Sequence, residues 1–272
     1  RGRAAGLYAR PAEHLTVRGC VFARTGGDGA YLRDASHVAV ENCSFHHNRD
    51  SGLRLWGCKD FHVSDCAAYL NPGGPGSSEN FGVILWQCAR GIVERNALFL
   101  NDKSGLRMGE CADGGISVLD NTSFLNGFTG FDVNGSNRNL IASNVAAHNL
   151  GMGMNPKGGA TANRFIHNAI IGHGYSAITV NAGAHRNVLR NNILADAPYG
   201  LTWDSSEAWE TMDSDHNVFS VRQPMQQFAD WASVQAAGLE PNSLQASSPL
   251  TLGPAFLACA PPDSPLHRVA ED

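Results

Sequence analysis

The sequence predicts an all-β protein: a right-handed, single-stranded parallel β-helix of about nine coils with a short C-terminal helix and an extended tail. Three observations predict this fold. A repeat of 22 to 25 residues runs through most of the chain, short alternating apolar segments fill each repeat, and asparagine and glycine recur between these segments. Leucine-rich and helical repeats need other patterns, so the repeat indicates a solenoid of strands.

The repeat is clearest in three columns of residues that advance together along the chain. The first column begins with Cys20, Cys43 and Cys66 and continues with asparagine, the second is asparagine until His173, and the third is glycine. Buried asparagines at equivalent positions can bond from coil to coil, which predicts amide ladders inside the rod. The remaining members are Asn96, Asn121, Asn144, Asn168, Asn192 and Asn217; Asn48, Asn71, Asn101, Asn126 and Asn149; and Gly52, Gly82, Gly105, Gly130, Gly151 and Gly200.

The two ends of the chain depart from the repeat. We expect the β-helix over residues 1–222, with its N-terminal cap and a leader preceding the sequence, and a capping helix and tail over residues 223–272. A helix between Pro224 and Gly238 would cover the exposed edge of the last coil. Its apolar residues at helical spacing are Phe228, Trp231 and Val234.

Composition narrows the class of protein. The chain has 272 residues, 43% of them hydrophobic, which is enough for one buried core. A net charge of −5 argues against a nucleic-acid partner, and no apolar run is long enough to cross a membrane. Three of the seven cysteines follow the repeat spacing, which favours buried small residues over disulfides or a zinc site.

Alternation predicts which side chains of one strand per coil face outward. The first residue after each column glycine points inward, Met152 among them, and the second and fourth residues after the glycine point outward. The resulting surface carries arginine, tryptophan, asparagine and aspartate, which is unusual for a face without function. The two outward columns are Tyr31, Arg54, Ile84, Arg107, Asp132, Gly153, Thr179 and Thr202, and Arg33, Trp56, Trp86, Gly109, Asn134, Asn155, Asn181 and Asp204.

This surface could bind an acidic polysaccharide or oligosaccharide. Trp56 and Trp86 either stack on sugar rings or pack under the insertion Pro72–Glu79, which we expect to form a wall of a groove. Arg54 and Arg107 lie two coils, about 10 Å, apart and could hold alternate carboxylates, although Arg107 could equally form an ion pair with Asp132. The candidate substrate-binding residues are Arg54, Trp56, Trp86, Asn134, Asn155, Asn181 and Lys157, the last of which could also be a solvated lysine of a turn.

Five stretches carry a resemblance to a known family. They are Glu79–Gly82, Lys103–Arg107, Gly130–Gly135, Ala146–Asn149 and Gly151–Asn155. Across residues 13 to about 219 the chain resembles the pectate-lyase-like right-handed β-helix superfamily, with the frame of family-nine pectate lyases. The resemblance implies an enzyme on uronate-containing glycans that is secreted, periplasmic or at the cell surface.

The catalytic residues of that family do not carry over to this chain. Its calcium-binding acids fall on Lys103, Ser104 and Arg107, and its catalytic lysine falls on Asp132. We therefore assign roles from chemistry: Arg107 neutralises the uronate carboxylate, Arg54 holds the adjacent subsite, and Lys103 is the base for β-elimination. Asp132 is the third catalytic candidate. A calcium ion held by Asp132, Glu110 and Asp113 is the alternative neutraliser, and no other cofactor is expected.

Two other classes of function stay open. A glycoside hydrolase or a uronate epimerase could use the same groove, and Gly172-His173-Gly174 is similar to a polygalacturonase motif, although His173 fits a ladder position equally well. A glycan-binding module without catalysis is the third reading. Formation of an unsaturated product would identify a lyase, new reducing ends alone would identify a hydrolase, and binding with neither would identify a binding module.

Overall fold

The computed structural model describes residues 5–73 and 79–246, which form a right-handed parallel β-solenoid of about ten turns. The all-β prediction is therefore confirmed. Most of the insertion between Asn71 and Asn80 and the predicted tail lie outside the described residues. Within these residues no helix is long and apolar enough to span a bilayer.

Three parallel sheets of ten strands each form the faces of the rod, and each complete coil contributes one strand to each sheet. Sheet 1 contains Leu7–Ala9, Ala30–Arg33, Leu53–Trp56, Val83–Trp86, Leu106–Gly109, Thr129–Asn134, Met152–Lys157, Ser176–Val180, Tyr199–Trp203 and Gln223–Met225. Sheet 2 contains Ala12–Glu13, Thr16–Arg18, Ala35–Glu41, Lys59–Ser64, Ala89–Glu94, Ile116–Leu119, Leu140–Ala142, Arg164–Ile166, Val188–Arg190 and Asp213–Asp215. Sheet 3 contains Val21–Ala23, Ser44–His46, Ala67–Tyr69, Ala97–Phe99, Thr122–Phe124, Val145–Ala147, Ala169–Ile171, Ile193–Ala195, Val218–Ser220 and Leu244–Gln245.

The interior of the rod is filled by the inward side chains of all three sheets and by the predicted ladders. Asn121 is typical: its side-chain amide donates to Asn144 Oδ1 at 3.0 Å, and its Oδ1 accepts from the Asn96 amide at 2.9 Å. The backbone N–H of Cys43 donates to Cys66 Sγ, so thiols begin the column that asparagine continues. A third ladder, not singled out from the sequence, consists of Asn139, Asn163 and Asn187.

The ladder ends at a buried carboxyl group. Asn217, the last amide of the first column, donates to Glu240 Oε2 at 3.2 Å. Ser214 and Ser243 also donate to the Glu240 carboxylate, and burial raises the pKa of this group. The Glu240 carboxylate accepts all three of these hydrogen bonds and donates none of them.

The predicted register is wrong in one coil. Met154, not Met152, pairs with Phe131 and enters the core, and Asn155 pairs with Asp132. Gly153 therefore belongs to the glycine column in place of Gly151, and it does not face outward. The sequence Gly151-Met152-Gly153-Met154 contains the glycine–methionine pair twice, so the repeat pattern fits two registers that differ by two residues.

The C-terminal region is more strand-like than predicted. Gln223–Met225 pairs with sheet 1 and Leu244–Gln245 with sheet 3, so the β-helix continues beyond residue 222. The predicted helix is shorter, because α2 spans only Trp231–Ala236, starting from an Asp230 cap, and the unpredicted α1 spans Ser206–Glu210. Val234 of α2 is fully buried in the core, and the capping role stays a prediction.

Candidate functional site

The outward surface of sheet 1 carries a charged group, here called the central cluster, formed by Arg107, Asp132 and Lys157. Lys157 Nζ lies 3.0 Å from Asp132 Oδ1, and Arg107 Nη1 lies 3.6 Å from Asp132 Oδ2. The Asp132 side chain is 2% exposed, whereas those of Arg107 and Lys157 are each 22% exposed. Two partly exposed cations thus cover a buried carboxylate, and the cluster has a net positive charge.

Strand register places these three residues together. Asp132 lies directly between Arg107 and Asn155 in the pairing of sheet 1, and Asn134 lies opposite Lys157. Lys157 is the last residue of the strand Met152–Lys157, so the prediction of a solvated turn lysine is wrong. The ion pair expected between Arg107 and Asp132 is present, and Lys157 joins it from the other side.

Lys103, the predicted base, borders the cluster through an aromatic ring. Its Nζ lies 5.9 Å from the centre of the Phe81 ring, and the guanidinium carbon of Arg107 lies 5.2 Å from the same centre. Phe81 itself is buried. The ring therefore holds both cations on one side of Asp132.

Several buried polar atoms around the cluster have no hydrogen-bond partner. Asp132 Oδ1 is within ion-pair distance of Lys157 but is not hydrogen-bonded, and neither is Arg107 Nε. Unsatisfied buried groups are rare in proteins because each costs about 1–3 kcal/mol, so their concentration on one surface indicates a site for polar ligands. The other such atoms on sheet 1 or just beyond its strand ends are Arg33 Nε, Asn155 Oδ1 and Asn181 Oδ1.

The predicted tryptophan platform is present next to the cluster. Trp56 and Trp86 occupy adjacent coils of sheet 1, with ring centres 6.0 Å apart, and each is half-buried. A Cβ on Gly109 would lie 2.3 Å from the Trp86 ring, so the indole rests on glycine backbone. Trp56 Nε1 donates to Gln87 at 3.1 Å, which fixes its ring.

Arg54 differs most from its predicted role. It occupies the outward column, yet it is only 3% exposed, because its guanidinium donates to both oxygens of Asp28 and contacts Glu79. Burial raises the pKa of Asp28, and Asp28 in turn raises the pKa of Arg54 against its own desolvation. Two carboxylates already neutralise Arg54, so the expected pair of arginines for alternate uronates is not formed.

The predicted calcium ligands do not converge. Asp132 is buried between two cations, whereas Glu110 accepts from Gln87 at 2.9 Å and Asp113, 73% exposed, faces Lys59 at 3.9 Å. In the part of the chain that the structure describes, no group of three His, Cys, Asp or Glu side chains is placed to hold a metal ion. A calcium site built from these three residues is therefore wrong.

His173 takes the ladder position. It is 3% exposed, its Nε2 lies 3.2 Å from the carbonyl oxygen of Ala146, and burial lowers its pKa to about 4. It therefore lies in the interior of the rod, away from the outward surface where a hydrolase would need it.

Sequence reasoning missed a row of aromatic side chains along one margin of sheet 1, here called the aromatic border. It consists of Phe128, Tyr175 and Tyr199. Phe128 is 42% and Tyr175 38% exposed, and the Tyr175 and Tyr199 rings meet edge to face at 5.6 Å. Lys157 Nζ lies 5.9 Å from the centre of the Phe128 ring. The spacing from the ladder asparagines could have found this border, because Phe128 follows Asn126 by two residues and Tyr175 follows His173 by two.

Comparison with known proteins identifies the family to which the fold belongs. A family model described as a right-handed β-helix region matches residues 5–194. No curated protein sequence matches the chain. The family-nine pectate lyase likeness is not part of these matches and stays a prediction.

Three solved structures illustrate the similarity in fold. The Dettilon tailspike protein has 15% identity and a TM-score of 0.59, covering 81% of this chain and 43% of its own. The periplasmic alginate epimerase AlgG has 17% identity and a TM-score of 0.58, covering 75% and 49%. The A-module of mannuronan C-5 epimerase AlgE6 from Azotobacter vinelandii has 14% identity and a TM-score of 0.53, covering 89% and 79%. The chain thus spans less than half the length of the first two proteins.

Proposed function

Because the chain belongs to the right-handed β-helix region family, we propose that sheet 1 binds an acidic, uronate-containing polysaccharide and cleaves it by β-elimination. The observation that carries this proposal is the central cluster, which places two partly exposed cations beside a buried carboxylate on consecutive coils. The similar solved structures named for alginate and mannuronan epimerases support a glycan partner through their shared fold.

The chemistry requires a positive charge next to the substrate. Removing the C5 proton of a uronate builds negative charge beside a carboxylate that already carries one, so a cation must stabilise the resulting enolate. Arg107 is suited to this role, because its planar guanidinium can hold a carboxylate through two donors. Lys157 supplies a second cation on the far side of Asp132.

The proposed base is Lys103, whose amine nitrogen would accept the proton. It takes the C5 proton, the C5–H electron pair becomes the C4–C5 double bond, and the bond between C4 and the glycosidic oxygen breaks. The leaving oxygen receives a proton from water or from a cationic side chain of the cluster. Arg107 and Lys103 share the Phe81 ring, which keeps the neutraliser and the base on the same side of the sugar.

C5 epimerisation is the second candidate. It shares the proton abstraction but returns a proton to the opposite face of C5. The cations of this site lie on both sides of Asp132, Arg107 and Lys103 on one side and Lys157 on the other, an arrangement that could serve both steps.

Replacing Arg107 tests the proposal. We expect Arg107→Ala to lower turnover at least about a hundredfold, as loss of a transition-state contact does. The variant should still fold, with some loss of stability, because Lys157 remains paired with the buried Asp132 carboxylate. Arg90→Ala is the control for loss of an arginine outside the site, since Arg90 forms a more exposed cross-coil pair with Asp60 on sheet 2. Equal activity of wild type and Arg107→Ala would remove the proposed centre.

The product distinguishes the reactions. Incubation with uronate-containing polysaccharides should give the ultraviolet absorbance of the unsaturated uronyl end that only elimination makes. Deuterium gained at C5 from heavy water without that absorbance would identify an epimerase. Binding with neither signal would identify a glycan-binding module. The substrate class also leads us to propose an extracellular or periplasmic location.

A further inference from the structure

The partly exposed cations of the proposed centre lie on the central coils of sheet 1. Lys103, Arg107 and Lys157 occupy the strands from Leu106–Gly109 to Met152–Lys157 or their margin. The next two strands, Ser176–Val180 and Tyr199–Trp203, contain no lysine or arginine. The outward residues there and just beyond the strand ends are Thr179, Asn181, Thr202 and Asp204.

Positive charge is also scarce toward the first coils. Arg54 is buried with Asp28 and Glu79, and Ile84, between Arg54 and Arg107, is fully buried. The next cation in this direction, Arg33, lies three coils from the level of Arg107, about 14 Å away. Its Nε is 3.4 Å from an oxygen of Asp34.

A polymer made only of uronates would bind poorly to a surface with this distribution of positive charge. One sugar of an extended chain spans about the spacing of one coil, roughly 5 Å, so such a chain presents a carboxylate to every coil. Carboxylates beyond Lys157 would face hydroxyl and amide groups and then the carboxylate of Asp204. Like charges at such distances repel, and nothing in these two strands offsets that repulsion.

Neutral sugars suit the same coils better. Phe128 and Tyr175 of the aromatic border expose ring surface on which the C–H face of a sugar can stack. Asn155 is 1% exposed, and its Oδ1 has no partner; Asn181 Oδ1 is likewise buried and unsatisfied. An amide oxygen is an acceptor that a sugar hydroxyl can satisfy, whereas a carboxylate has no hydrogen to donate to it.

We infer that the substrate is a heteropolysaccharide in which a single uronate is flanked by neutral sugars, rather than a polyuronate. The uronate would lie over Arg107, and the neutral sugars would lie over the coils beyond Lys157. This inference rests on the proposed function, since it assigns the substrate of that same groove.

Binding of two polymers to the intact wild-type protein tests the inference by calorimetry. Gellan carries one glucuronate among neutral hexoses in each repeat, and polymannuronate carries a carboxylate on every sugar. We expect gellan fragments to bind at least about tenfold more tightly than polymannuronate fragments of equal length at 0.15 M salt. Equal or tighter binding of polymannuronate, or no binding of gellan, would overturn the inference.

A charge reversal sharpens the test. Asp204→Lys should increase the affinity for polymannuronate several-fold and leave that for gellan within about twofold. Asp120→Lys makes the same charge change away from sheet 1, at a position where the preceding coil carries Arg95, and should change neither. No gain for polymannuronate with Asp204→Lys would count against the inference.

Binding and cleavage are measured separately, so that the substrate class and the reaction can fail independently. Preference for gellan without an unsaturated product would support the substrate class and reject elimination. An unsaturated product formed faster from polymannuronate, together with its tighter binding, would support elimination and reject the substrate class.

Discussion

At the scale of single residues, His173 shows how an interior position sets the chemistry of a side chain. It replaces asparagine at the end of a ladder, and it loses the solvent that a charged imidazole needs. Burial lowers its pKa from 6.5 to about 4, so the folded protein holds it neutral where the unfolded chain would protonate it.

We predict a loss of stability at acid pH that depends on His173. The contribution of neutral His173 is fully present above pH 6.5 and is lost as pH falls toward about 4, because only the unfolded chain binds the proton in that window. Each pKa unit corresponds to about 1.4 kcal/mol, so the loss is about 3 kcal/mol. His173→Asn should reduce this pH dependence in urea titrations at several pH values. An unchanged slope would show that other groups dominate.

The residues that were placed wrongly show what a repeat pattern omits. Alternation put Arg54 on the outward column, but the pattern contains no information about Asp28, two residues before the core position of the previous coil, which pairs with it. The repeat pattern places Lys157 in a turn because it puts the coil that contains Met152 two residues out of register. Charge pairing depends on side-chain direction across coils, which spacing alone does not give.

At the scale of strands, the register of sheet 1 decides how the tryptophan platform is built. Gly109 pairs with Trp86, and the indole lies where a Cβ of residue 109 would be. The strand needs no unusual backbone at Gly109. Glycine is required at position 109 only because a side chain there would collide with the Trp86 indole.

Gly109→Ala should therefore displace Trp86. We expect a change in tryptophan fluorescence and weaker glycan binding, with a modest loss of stability typical of an overpacked site, about 1–3 kcal/mol. Gly91→Ala is the matched control, because its Cβ would crowd Phe61 by the same amount on sheet 2, away from the groove. If both variants weaken binding equally, the effect is one of stability and the platform has no role.

The amide ladders make a different prediction for the interior. Asn121→Leu removes donors to Val93, Leu119 and Asn144 and leaves the Asn96 amide without its acceptor. Buried groups left unsatisfied cost about 1–3 kcal/mol each, so we expect a loss of at least about 3 kcal/mol in urea unfolding. Thr122→Leu, at the half-buried neighbouring position, should cost much less. Similar losses would refute the ladder as a major source of stability.

At the scale of the whole molecule, the fold followed from the sequence because a solenoid is nearly one-dimensional. Each coil contacts mainly its two neighbours, so the spacing of asparagines and glycines nearly determines the architecture. The same reasoning was weakest where the repeat ends: Gln223–Met225 and Leu244–Gln245 join the sheets although no ladder residue announces them. The central cluster was predictable in membership but not in geometry, since Arg107, Asp132 and Lys157 were all candidates.

The interior thiols give a prediction for the molecule as a whole. All six cysteines among the described residues are free, and only Cys20 is partly exposed. Burial raises the pKa of Cys66 to about 12 and that of Cys111 to about 11, so these groups stay protonated and unreactive at neutral pH. In a Cys259→Ser background, a thiol reagent should modify at most one cysteine before unfolding and all six afterwards. Rapid reaction of several thiols in the native protein would contradict the buried columns.

The asparagine ladder also has a direction. From Asn96 to Asn192, each amide donates one hydrogen to the amide oxygen of the next coil and one to a backbone carbonyl of the preceding coil. The hydrogen bonds between the side chains therefore all run in one direction along the rod. Glu240 receives the last of these hydrogens and, as a carboxylate, has none to pass on. The column of side-chain hydrogen bonds therefore cannot continue past Glu240 as an amide ladder, because the next position would need a donor that a carboxylate does not have.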